Sequence, residues 1–108
     1  MRPITLSTLG VQNTAVAPMD LYLTPFNVSL QAVITGAPTY TVEYTNDDVF
    51  SPTFNPATAN WTPVAGMTAA VASANATLIS PVTAIRMRQT AGAAPNAVQL
   101  RITQAGVQ

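Results

Sequence analysis

The sequence predicts an all-β domain, a single antiparallel β-sandwich or small barrel with little or no helix. Apolar and polar side chains alternate with a period of two along most of the chain, the pattern of strands with one buried face. Nine prolines and five glycines lie mostly between the alternating runs, where they interrupt any long helix. The runs recur about every ten residues, a spacing typical of sandwiches and small barrels.

Three alternating runs are predicted as strands in the first part of the chain. Residues 4–9, ITLSTL, place Ile4 and Leu6 on one face. Residues 20–23, DLYL, form a short run between two prolines. Residues 26–34, FNVSLQAVI, carry on their apolar face Phe26, Val28, Leu30 and Ala32.

Three further runs, 39–46, 83–90 and 97–104, alternate in the same way. Their predicted inward-facing residues are Tyr40, Val42 and Tyr44 in the first run, Ile85, Met87 and Gln89 in the second, and Val98, Leu100 and Ile102 in the third. The Ala-rich segment 66–78 also contains Thr, Ser and Asn, so irregular strand is favoured there over a helical turn. Together these runs indicate one domain over residues 1–108, with jelly-roll or immunoglobulin-like topology left open.

The chain is unusually poor in charge. Charged residues make up 7% of 108 residues, against roughly 25% in ordinary soluble domains, and the formal net charge is zero. There is no Lys, His or Cys, which excludes imidazole and thiolate chemistry and disulfide bonds. Neutrality favours neither nucleic acid nor an anionic membrane as a partner, and it favours association with other protein.

The sequence predicts neither a cleaved signal nor a membrane span. The segment before residue 10 has no apolar run long enough for a signal peptide. The long, nearly uncharged stretch 49–85 is broken by four prolines. We therefore expect synthesis and use without secretion through a cleaved signal.

Asp47 and Asp48 are adjacent carboxylates at the end of a predicted strand. A catalytic or metal-binding pair needs further ligands from elsewhere, and neighbouring residues of a strand point to opposite faces. The favoured interpretation is an Asx-type turn in which the short polar side chains bind nearby backbone amides. We predict no catalytic residue, metal site or cofactor in this chain.

Three arginines, Arg86, Arg88 and Arg101, lie on the outward faces of the last two predicted strands. If these strands form a hairpin, the guanidinium groups make one basic patch. Such a patch is either a solvated sheet face or an interface that meets acidic groups, from Asp47 and Asp48 or from a partner. Replacing Arg86 and Arg88 with Ala is expected to leave the fold intact and to weaken association with the partner.

The aromatic residues divide between the core and the loops. Tyr40 and Tyr44 are predicted in the core, and Trp61 is predicted to cap it. Phe50 and Phe54 lie in a proline-rich loop, where each ring either plugs the end of the sandwich or contacts a neighbour. With the arginines and the two aspartates, these two rings complete the candidate protein–protein interface.

The order of motifs along the chain resembles small virion-associated β-domain proteins of tailed bacteriophages. The motifs are PMDLYLTPFNVSLQAVITG, YTVEYTNDDVF, a Pro-to-Trp segment, SPVTAIRMRQTAG and a closing VQLRITQAG. The matching positions are Asp20, Pro25, Phe26, Asn27, Val28, Ser29, Tyr40, Val42, Tyr44, Asp47, Asp48, Phe50, Trp61, Pro81, Val82, Ala84, Arg86 and Gly106. Longer members carry an inserted loop after the two aspartates, which this chain lacks.

The resemblance implies a non-enzymatic part of a virus particle, made in the host cytoplasm and located on the capsid surface. The expected role is capsid cement or decoration, with the major capsid protein as partner and a dimer or trimer as the assembly. A tail, head–tail joining or fibre-base subunit remains an alternative. So does a module that binds host-surface carbohydrate through Trp61 and Phe54.

Overall fold

The computed structural model describes residues 4–19 and 24–107. Nine strands run through these residues: β1 (Ile4–Leu9), β2 (Gln12–Asn13), β3 (Ala17–Pro18), β4 (Thr24–Thr35), β5 (Thr39–Thr45), β6 (Thr62–Pro63), β7 (Ala74–Leu78), β8 (Ala84–Ala91) and β9 (Ala97–Val107). The described part contains no helix, and therefore none long and apolar enough to cross a membrane. The predicted run 20–23, with Asp20 and Tyr22, lies outside the described residues, as do Arg2 and the side chain of Phe26.

The strands form two antiparallel sheets. Sheet 1 has the order β1-β9-β4-β7, and sheet 2 has the order β2-β8-β5-β6, with β3 also paired to β8. The prediction of an all-β antiparallel sandwich is confirmed. The two-residue strands β2, β3 and β6 are too short to produce a periodic pattern in the sequence.

The pairing of the strands is nested, as in one long hairpin folded over on itself. The outermost pair is β1 with β9, followed inward by β2 and β3 with β8, β4 with β7, and β5 with β6. The β4–β9 and β5–β8 ladders then join these pairs into the two sheets. This arrangement is a jelly roll, which decides between the two topologies that the sequence left open.

Alternation correctly predicted which face of each long strand is buried. The buried apolar side chains on the inward faces of the long strands are Leu6, Val28, Leu30, Ala32, Tyr40, Val42, Ile85, Met87, Val98, Leu100 and Ile102. Tyr44 is half-buried and packs against this core. The segment 66–78 is irregular until β7 begins at Ala74, also as predicted.

One edge of sheet 2 is interrupted at Thr14, between β2 and β3. The Thr14 amide donates to the Met87 carbonyl at 2.8 Å, and the Met87 amide donates to Thr14 Oγ1 at 3.0 Å. The hydroxyl thus stands in for a backbone carbonyl in the ladder, as Thr side chains do at local irregularities. Because the amide of Met87 stays bonded, β8 runs straight past the interruption.

Asn96 ties together the turns at one end of the sandwich. Its Oδ1 accepts from the Ala37 amide at 2.9 Å, and its backbone carbonyl accepts from the Gly10 amide at 2.9 Å. Gly36, with φ of +79°, passes so close to Asn96 Oδ1 that a Cβ at this position would overlap it. The β1–β2, β4–β5 and β8–β9 turns therefore form one hydrogen-bonded unit.

Candidate interaction surface

The β5–β6 loop, residues 46–61, contains the two adjacent carboxylates. The Phe50 amide donates to Asp48 Oδ1 at 3.0 Å, and the Asp47 amide donates to Thr45 Oγ1 at 3.0 Å. The Asp47 carboxylate accepts from the Asn60 amide at 2.8 Å, which closes the base of the loop. The turn interpretation is confirmed for Asp48, whose carboxylate binds an amide two residues later, whereas the Asp47 carboxylate binds an amide 13 residues away.

The same loop covers a charged group on the outer face of sheet 2. Arg86 Nε donates to Glu43 Oε1 at 3.0 Å across the β5–β8 ladder. Its guanidinium lies over the Trp61 ring, 4.2 Å from Cζ to the ring centroid. Its Nη1 and the Trp61 indole Nε1 both donate to the Pro56 carbonyl, at 3.2 Å and 2.9 Å. Arg86 therefore connects two strands of the sheet to the loop above them.

Burial makes this charge pair sensitive to the loss of either partner. The side chains of Arg86 and Glu43 are each 10% exposed, so both are largely withdrawn from water. Arg88 Nη1 lies 3.9 Å from Glu43 Oε2, and its side chain is 42% exposed. A buried charge left without its partner is costly, because neither water nor an opposite charge then stabilises it.

Two predictions about this region are wrong. Arg86 lies on the outward face of its strand, as alternation predicts, but the loop shields it from solvent. Trp61 does not cap the core, because its ring packs on Arg86 outside sheet 2. Ala in place of Arg86 would therefore disturb the fold, contrary to the expectation from sequence.

The three arginines do not form one patch. The predicted hairpin would place residues 83–90 and 97–104 side by side, whereas β8 belongs to sheet 2 and β9 to sheet 1. Arg86 and Arg88 therefore lie on the outer face of one sheet and Arg101 on the outer face of the other. In a jelly roll the last two strands pair with different early strands, which separates these side chains.

Arg101 is exposed on sheet 1. Its Nη1 is 3.5 Å from Gln31 Oε1, and its Nη2 is 3.4 Å from Gln99 Oε1. Both distances are at the long end for a hydrogen bond. Within residues 4–19 and 24–107 no carboxylate forms an ion pair with this guanidinium.

The two loop phenylalanines differ in exposure. Phe50 is 81% exposed and belongs to neither the core nor the packing around it. Phe54 is half-buried and lines a cleft of about 300 Å³. The rest of the lining is formed by Asp47, Asp48, Ser51, Thr53, Asn55, Thr58 and Ala59. This cleft combines one aromatic ring with carboxylate, amide and hydroxyl groups.

Exposed apolar side chains also occur near the turns that Asn96 joins. Leu9 and Val11 flank Gly10 in the β1–β2 turn, and both are more than half exposed. The segments of these three turns, 9–12, 35–39 and 91–97, contain no charged residue. This end of the molecule is therefore joined by hydrogen bonds, uncharged, and marked by two exposed apolar side chains.

The described residues contain no cluster of three or more Asp, Glu, His or Cys side chains that could hold a metal ion. Within the same residues, every buried side-chain nitrogen and oxygen has a hydrogen-bond partner. The Tyr40 hydroxyl, for example, donates to the Ala72 carbonyl at 2.8 Å, and burial raises the pKa of this phenol.

Sequence reasoning missed two residues of this surface. Glu43 shares the outward face of its strand with no other carboxylate, and it faces Arg86 across the ladder. A lone acid on the outward face of one predicted strand and arginines on the outward face of another are a signal for such a pair. Asn60 has no comparable signal, because its bond to Asp47 spans 13 residues of irregular loop.

Comparison of the chain with protein-family models, with curated proteins and with solved structures found no match.

Proposed function

We propose that this protein is a non-enzymatic structural component of a tailed-bacteriophage virion. In its most specific form, the proposal is that the protein is a capsid cement or decoration protein. It would be located on the outer shell and brace contacts between major capsid subunits. The order of motifs from residue 18 to residue 106 supports the virion assignment, since it resembles that of small virion-associated proteins.

The observation that carries the proposal is the small number of charged side chains at the surface. The chain has eight charged residues, and Glu43 and Arg86 are buried against each other. The exposed side chains of the described strands are mostly Thr, Ser, Asn and Gln. Protein interfaces are depleted in Lys, Glu and Asp, so this surface is suited to contact with other protein.

Weak contacts are sufficient for such a role. A decoration protein binds a lattice in which the same site recurs many times, and an oligomer binds several sites at once. A dimer or trimer is part of the proposal, and the exposed Leu9 and Val11 side chains are apolar groups that such an assembly would cover. Light scattering on the purified protein measures this directly.

The test of the function is the number of copies per purified particle, measured by quantitative mass spectrometry against the major capsid subunit. A number comparable to that of the shell subunit supports the cement role. A handful of copies would assign the protein to the tail, the head–tail joint or the base of a fibre. Absence from the particle would overturn every structural form of the proposal.

The cleft around Phe54 supports a second candidate, binding of host-surface carbohydrate. Sugars are recognised by an aromatic ring together with polar groups, and this cleft provides Phe54, Asp48 and several hydroxyls. Trp61 is not part of it, because its ring packs on Arg86. A glycan array should show binding that Phe54→Ala abolishes and Phe50→Ala retains; an array without any bound glycan would exclude this candidate.

A further inference from the structure

The outer faces of the two sheets differ in what covers them. On sheet 2 the loop 46–61 lies against the strands, with Trp61 over Arg86. On sheet 1 the outward side chains of β1, β9, β4 and β7 with described burial are exposed, except the half-buried Val33 and Ala97. No described segment of the chain lies over this face.

The bare face consists mainly of hydroxyl and amide side chains. Its strands are paired in register, so the outward residues form rows across the sheet. The rows are Thr5, Arg101, Gln31 and Asn75; Thr103, Ser29 and Thr77; and Ser7, Gln99 and Val33. Among these ten residues there is one charged side chain, Arg101, and no aromatic ring.

Arg101 is near the centre of this array and is available for a partner. Its two hydrogen bonds to glutamine oxygens are long, and its donors form a planar fork that matches a carboxylate. Arginine is also enriched at protein interfaces, unlike the other charged residues. The face therefore has one strong electrostatic anchor in a neutral surround.

Charge identifies the class of partner. Two copies of this face packed about a two-fold axis near its centre would place the two Arg101 groups together, which is unfavourable. Nucleic acid requires several cations to replace its counterions, and the described residues of this face provide one. A weakly charged protein surface that offers one carboxylate fits this distribution of charge.

We propose that the outer face of sheet 1 contacts the capsid shell, and that Arg101 pairs there with a carboxylate of a shell subunit. This inference rests on the proposed function and specifies which surface performs it. The covered face of sheet 2 then points away from the shell.

The experiment adds the purified full chain to particles assembled without it and measures bound copies per particle against free concentration. Arg101→Gln removes the anchor and is expected to weaken binding about tenfold or more. Thr62→Glu is the matched control, because it changes the net charge by the same amount on an exposed site of sheet 2, outside the turns with the exposed Leu9 and Val11. It is expected to bind as the wild type does.

A second variant tests the face without touching Arg101. Ser29→Lys adds bulk at an exposed site of β4, an inner strand of sheet 1. Thr90→Lys adds the same group at an exposed site of β8 in sheet 2. We expect the first to abolish binding and the second to leave it unchanged. Thermal unfolding of each variant checks that the fold is intact, which is expected because every changed side chain is exposed.

The outcomes separate this inference from the function on which it rests. If the wild-type chain does not bind the particles, the proposed function fails and the inference fails with it. If the wild type binds and Arg101→Gln binds equally well, the face assignment is wrong while the function stands. Equal weakening by Thr62→Glu would also overturn it, since net charge rather than contact would then govern binding.

Discussion

At the scale of the residue, Arg86 connects its own strand, β8, to strand β5 and to the loop 46–61. Its guanidinium binds Glu43 of β5, the carbonyl of Pro56 in the loop and the ring of Trp61 before β6. Cation–π contacts strengthen when the cation is desolvated, and the ion pair is desolvated with it. The side chain therefore stabilises the loop and the sheet together.

Arg86→Ala should lower the free energy of unfolding by about 3 kcal/mol, because the buried carboxylate of Glu43 then keeps only its 3.9 Å contact with the partly exposed Arg88. Arg88→Ala is the control and should cost less than about 1 kcal/mol, since that side chain is 42% exposed and its contact with Glu43 is long. Urea denaturation measures both. Equal losses would show that the loop does not hold Arg86 in place.

Tyr40 gives the protein a predicted sensitivity to alkaline pH. Burial raises the pKa of its hydroxyl above the ordinary value of 10.0, so the folded state favours the neutral phenol. Because the folded pKa exceeds the unfolded one, the folded state gains stability by keeping Tyr40 neutral. This gain is complete below about pH 10 and is lost as pH rises through the folded pKa.

Tyr40→Phe should therefore reduce the fall in unfolding free energy above about pH 10, measured as urea midpoints across the alkaline range. At neutral pH it should cost about 1 kcal/mol, for the lost bond to Ala72. Tyr44→Phe is the matched control, since it removes a hydroxyl from the same strand and leaves Tyr40 in place. An unchanged alkaline slope in Tyr40→Phe would contradict the assignment.

At the scale of the element, the long strands and their buried faces could be predicted from the sequence, and the surface could not. Alternation reports which side chains of β1, β4, β5, β8 and β9 point inward, because a strand has a period of two. It carries no information on what lies over the outward side. The burial of Arg86 depends on a loop without periodicity, and the separation of Arg101 from Arg88 depends on which sheet each strand joins.

The loop 46–61 is held at its base by one carboxylate. Asp47→Ala removes the acceptor of the Asn60 amide and should destabilise the loop locally by about 1 kcal/mol. Faster hydrogen exchange at Asn60 and faster proteolysis within the loop, with the core unchanged, are the expected results. Asp48→Ala loses only a turn bond to the Phe50 amide and should leave Asn60 protected; the opposite order would contradict the assigned roles.

At the scale of the whole molecule, low charge and exposed apolar side chains favour self-association. The net charge is zero, and Val11 is 63% exposed at the neutral end of the sandwich. Proteins without net charge lack the mutual repulsion that keeps molecules apart in solution. Low charge and exposed apolar side chains suit a surface to a protein lattice. They therefore also limit the solubility of the free chain.

Val11→Lys should raise the concentration at which the free protein begins to associate, without lowering its melting temperature, because the side chain is already in water. Static light scattering over a concentration series measures the effect. Thr90→Lys introduces the same charge at a polar site. If it improves solubility equally, net charge alone governs association and the apolar end does not contribute.

The nested strand pairing also has a consequence for how the chain acquires its structure. β1 pairs with β9, which lies roughly ninety residues later in the chain. β2 and β3 pair with β8, which also lies far along the chain from them. Contacts between sequence-distant segments slow folding, because the chain entropy of closing a large loop is lost before the contacts form. During synthesis, the early strands emerge before their partners exist, with few charges to keep them apart. A newly made copy is therefore exposed to misassembly until its last strand is released.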